Sequence, residues 1–94
     1  MRTKAEIQAR IARFESLGAS LGRHELLEIA RNNEAVRALG FVMGSGLSMS
    51  ELDKFAGDFE CLPEIEARVW GDQIRWCLGG IGIDEGIGLI AAGR

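Results

Sequence analysis

Residues 23–44, RHELLEIARNNEAVRALGFVMG, decide the fold. Turned at 100° per residue, Leu26, Ile29, Ala30, Asn33, Val36, Leu39, Gly40 and Met43 fall on one broad face. Glu28, Arg31, Asn32 and Glu34 fall mostly elsewhere. The pattern predicts a core-facing helix over residues 23–43, with Gly40 placed to let another backbone approach.

On the N-terminal side, Ile7, Ile11, Phe14 and Leu17 recur at helical spacing and predict a first helix over 3–17. Thr3 and Glu6 have the spacing of a capping box. Gly18 is placed as its stop, and Gly18–Gly22 (GASLG) reads as a short loop. A loop that short makes the two helices antiparallel neighbours.

On the C-terminal side, GSGLS at 44–48 breaks the chain. Ser48 and Glu51 repeat the capping-box spacing, with Leu47 and Leu52 at the hydrophobic-staple positions. They predict a third helix over 48–60, whose apolar face is Met49, Leu52, Phe55, Ala56 and Phe59. Pro63 suits a first helical turn and opens a fourth helix over 63–78. That helix carries two apolar faces, Ile65/Val69/Trp76 and Ala67/Trp70/Ile74/Cys77/Leu78. Its wet strip is Glu64, Arg68, Asp72 and Arg75. Residues 80–94 read as a short helix or turn. The expected architecture is an all-α bundle of two helical hairpins in one domain spanning 1–94.

The balance of charge is uneven. Residues 1–44 hold seven Lys/Arg against five Asp/Glu, giving +2, and residues 45–94 hold four against nine, giving −5. The net charge of −3 is far from the basic footprint of a nucleic-acid binder. No run reaches the length of a membrane span; the closest, Gly86 to Gly93, is too short. The start, MRTKAEIQAR, lacks the apolar segment of a secretory signal. Cys61 and Cys77 are not in C-x-x-C spacing. A reduced, cytoplasmic setting is the expectation.

Catalytic kits are sparse. A single histidine, His24, offers no metal-ligand spacing. Cys77, between Trp76 and Leu78, reads as a small buried hydrophobe. Cys61 precedes a helix start, yet Glu60 and Glu64 oppose a thiolate there. The glycines of LGGIGIDEGIG lack the lysine of a phosphate-binding loop. Asp72 reads as the edge of a salt bridge. No cofactor, metal or enzymatic activity is expected.

The remaining feature is a surplus of apolar surface. The sequence predicts a small interaction or regulatory protein that occludes a protein partner, in the manner of phage or mobile-element inhibitors, and that forms a homodimer. The interface residues expected are Phe41, Trp70 and Trp76, supported by Phe55 and Phe59, with an acidic rim of Asp58, Glu60, Glu64 and Glu66. The alternative is a nucleic-acid-binding regulator using Lys4, Arg10, Arg13 and Arg23, with Arg2, on the first hairpin.

Overall fold

A computed structural model describes residues 1–79; the expected C-terminal helix or turn over 80–94 lies outside them. Four helices run in order: α1 (Lys4–Ser20), α2 (Leu26–Ser45), α3 (Met49–Glu60) and α4 (Ile65–Cys77). α1 packs on α2, α2 on α4, and α4 on α3, so the two hairpins join through α2 and α4.

The start signals act as their chemistry requires. The Thr3 hydroxyl accepts from the Glu6 N–H while the Glu6 carboxylate accepts from the Thr3 N–H. Ser48 and Glu51 make the same reciprocal pair at α3. Each box satisfies two backbone donors that a helix start leaves open. α4 begins differently: its N-cap is Glu64, without a side-chain cap, and Pro63 stands before the helix rather than in its first turn. α2 starts at Leu26, three residues later than the pattern suggested. It ends at Gly46, whose φ of 66° is the left-handed conformation glycine adopts most cheaply.

Gly18 is not a stop. α1 continues through it to Ser20, so residues 18–20 belong to the helix. A Cβ at Gly18 would lie 2.6 Å from Asn32 Nδ2. That amide donates to the Phe14 carbonyl at 2.6 Å. The glycine leaves room for the Asn32 side chain of α2 to reach α1.

The buried face of α2 also differs from the one expected. Asn32, Ala35, Ala38, Leu39 and Val42 are buried, whereas Leu26 is 71% exposed and Ala30, Asn33 and Gly40 face outward. The core stripe is turned by one residue, about 100°. Nothing lies within 4 Å of a Cβ built at Gly40, so Gly40 admits no neighbour. The small residues on the covered sides are Ala35 and Ala38 of α2, both fully buried, and Gly71 of α4. A Cβ on Gly71 would meet Glu60 Cγ at 3.3 Å and the Ala56 carbonyl at 3.5 Å.

α4 is the central helix: Ala67, Val69, Gly71, Gln73, Ile74, Trp76 and Cys77 are all buried. The core joins Ile7 and Phe14 of α1, Ala35, Leu39 and Val42 of α2, Leu52 and Ala56 of α3, and Val69, Ile74, Trp76 and Cys77 of α4. A polar contact runs through it, from Arg10 Nε to Gln73 Oε1 at 2.8 Å, with both side chains buried. Beside it, the N-terminus meets the end of α4. The Arg2 N–H donates to the Cys77 carbonyl at 2.7 Å, and Arg2 Nε donates to the Trp76 carbonyl at 3.3 Å.

Candidate protein-docking face

α2, α3 and α4 each contribute aromatic rings to one cluster. Phe41 lies 5.9 Å from Phe55 in an edge-to-face arrangement and 5.6 Å from Trp70. Trp70 in turn lies 5.4 Å from Phe59. These separations are those at which aromatic pairs attract. The cluster is only half covered: Phe41, Phe59 and Trp70 are half-buried and Phe55 is 41% exposed. Phe55 stands clear because Leu52 and Ala56, its neighbours on α3, take the buried positions.

Trp70 is fixed by a partner that the sequence did not signal. Its indole Nε1 donates to Glu34 Oε2 at 2.7 Å, while Arg37 Nη1 donates to Glu34 Oε1 at 3.0 Å. In sequence, Glu34 is simply a charge three residues before Arg37. Its second role depends on α4 crossing α2 at this point.

Asp58 follows Phe55 by three positions, and Glu66 precedes Trp70 by four, so each flanks a ring of the cluster on its own helix. Glu60 is drawn instead into an ion pair with Arg75, its Oε1 accepting from Nη2 at 2.8 Å. Arg75 Nη1 also donates to Asp53. These two carboxylates hold the Arg75 guanidinium pKa above its ordinary value. Glu64 is exposed at the α4 cap.

Trp76 is not part of this face. It is 7% exposed and lies beneath two guanidiniums, with Arg10 Cζ 4.4 Å and Arg2 Cζ 4.7 Å from its ring centre. Its expected role as a surface anchor is corrected: the ring is spent on the protomer's own core and on two cation–π contacts. The same burial takes Arg10 out of the basic surface, leaving Lys4, Arg13 and Arg23 exposed. A shallow cleft of about 210 Å³ on this side is lined by Glu6, Ala9, Arg10, Arg13 and Trp76.

The thiols are apart in character as well as in sequence. Cys61 is exposed. Cys77 is buried, and that burial pushes its thiol up to about 11, with Arg10 and Arg2 opposing the rise. Asp72 has no cation within 4.0 Å among the described residues, so the expected edge salt bridge does not form. Partial desolvation raises the pKa of its carboxyl, Arg68 lowers it, and Glu60 adds to the rise. No three His, Cys, Asp or Glu side chains among the described residues converge as metal ligands. No helix among them is long and apolar enough to cross a membrane.

Comparison with protein-family models, characterised proteins and solved structures finds no match to the chain. The fold defines it as a small all-α bundle of two packed helical hairpins.

Proposed function

We propose that this protein is a non-enzymatic interaction module that lays its aromatic face on a protein partner and occludes the surface beneath. The observation carrying this reading is the half-open cluster of Phe41, Phe55, Phe59 and Trp70, pinned by Glu34. Aromatic anchors already held in place lose little rotamer freedom on binding, which is why they dominate interface energetics. Asp58 and Glu66 beside the rings favour a partner with basic groups at its edge. A free exposed Cys61 fits a reducing, cytoplasmic setting.

The partner of this reading is a regulated protein of the host cell, in the manner of a mobile-element inhibitor, or a second copy of the chain. A photo-reactive phenylalanine analogue at position 55 tests it in the native cell. The expected result is one defined protein adduct, lost when Asp58 and Glu66 are both changed to Lys. The same probe at exposed Gln8 should give none. Equal labelling from both positions would reject the face. Light scattering on the purified chain separates the two partners: a dimer that Phe55→Asp converts to monomer identifies the second copy.

A further inference from the structure

We propose that the cleft between α2 and α4 lined by Arg31, Ile65, Arg68, Val69 and Asp72 binds a carboxylate carrying a small apolar body. The cleft has a volume of about 340 Å³, within the range of small-ligand sites. None of its lining residues belongs to the aromatic cluster, so the inference stands apart from the docking face.

Four of the five residues form one wall. Ile65, Arg68, Val69 and Asp72 are spaced i, i+3, i+4 and i+7 on α4, and so share a helix face. Arg31 comes from α2 opposite. Two guanidiniums therefore line one space from two elements. Arg2, Arg37 and Arg75 each have a carboxylate within 4.0 Å. Arg31 and Arg68 have none among the described residues.

Arg31 makes the sharper case. Its Nε is screened from solvent and has no hydrogen-bond acceptor. A guanidinium does not shed its proton at accessible pH, so burial cannot be relieved by neutralisation. A carboxylate in the cleft meets the part of that side chain that lines it and supplies the counter-charge that the described residues do not. A planar carboxylate matches the donor fork, since each oxygen meets one N–H.

The rest of the lining narrows the ligand. Ile65 is 40% exposed and Val69 is buried behind it, so an apolar body set against Ile65 loses water contact on both sides. Asp72 stands in the same cleft with Glu60 beyond it. Their negative charge works against a dianionic phosphate more than against a singly charged carboxylate. The fitting ligand is a monocarboxylate with a short branched alkyl group, free or at the C-terminus of a peptide.

The test uses 3-methylbutanoate as probe and follows the Arg31 Nε–Hε and Val69 amide resonances by NMR. Saturable shifts are expected with the acid and not with its neutral isostere, 3-methylbutanamide. Arg68→Gln and Arg31→Gln should each weaken binding by roughly tenfold or more, as loss of a charge-assisted bond predicts. Arg13→Gln, on exposed α1 surface, should leave it unchanged. A peptide ending in Leu that binds more tightly than its free-acid counterpart assigns the ligand to a chain terminus; the reverse assigns it to a small molecule. Equal shifts with the amide, tighter binding of inorganic phosphate, or unaltered affinity in a folded Arg68→Gln protein would each overturn the proposal. Arg68 is exposed, so that variant keeps the test valid even where Arg31→Gln disturbs the fold.

Discussion

At the scale of single residues, the contact between Gly18 and Asn32 sets two effects of opposite sign against each other. Alanine in place of a helical glycine gains up to about 1 kcal/mol of helix propensity, the upper end applying to helix interiors. Here the new methyl would displace the Asn32 amide, which lies 2.6 Å from the Cβ position and 2.6 Å from its acceptor, the Phe14 carbonyl. Leaving that buried amide unpaired costs about 1–3 kcal/mol. Gly18→Ala is therefore expected to lower stability in the natural sequence and to raise it by up to about 1 kcal/mol in an Asn32→Ala background. Urea unfolding of the four proteins measures this, and an unchanged sign would show that the amide bond contributes nothing. The thiols give a second expectation. Ellman's reagent should titrate Cys61 rapidly in the folded protein and Cys77 only on unfolding, because Cys77 is both buried and held protonated. Cys61→Ser should abolish the rapid phase.

At the scale of the helix, the two capping boxes fix where α1 and α3 begin. Ser48→Ala should cost about 0.5–2 kcal/mol, read from the shift in denaturant midpoint. The paired glutamates add a pH dependence whose sign follows from their backbone bonds. Thr3 and Ser48 N–H groups hold the Glu6 and Glu51 carboxyls below the ordinary glutamate value in the folded protein. Their stabilising contribution is complete above that ordinary value and is lost as pH falls through the lowered one. Glu51→Gln should thus lower stability slightly at neutral pH and converge with the natural protein at acid pH, which flattens the acid limb of the stability curve; both side chains are exposed, so the effect is small. These boxes were legible in sequence because capping chemistry is local, acting over three residues. The phase of α2 was not. Large apolar residues favour the Leu26–Ile29–Val36–Met43 side, but a helix crossing requires small ones, and Ala35 and Ala38 won the contact with Leu39 and Val42. Hydrophobicity along one strand of sequence does not report how near the neighbouring axis comes.

At the scale of the whole molecule, both hairpins were readable and their junction was not. Periodicity and loop length paired α1 with α2 and α3 with α4. That α4 should bury more than half of its residues, with Trp76 under Arg2 and Arg10, depends on contacts across some seventy positions. For the candidate site, the aromatic residues Phe41, Phe55, Phe59 and Trp70 were visible as surplus apolar side chains. Glu34, the tryptophan's hydrogen-bond partner, became visible only when two elements met. The junction has its own test. Arg2→Ala removes the side-chain donor to the Trp76 carbonyl and the positive charge favoured at a helix C-terminus. The last-turn amides of α4 should then exchange hydrogen faster, while those of α3 stay as they were.

The same clamp bears on how the chain is made. Arg2 and Trp76 are separated by 74 positions, and a ribosome adding about 5–20 residues per second needs roughly 4–15 seconds to cover that span. The Arg2 segment therefore waits through that interval without its final neighbour. The first hairpin has time to form alone before α4 arrives to close the bundle over it.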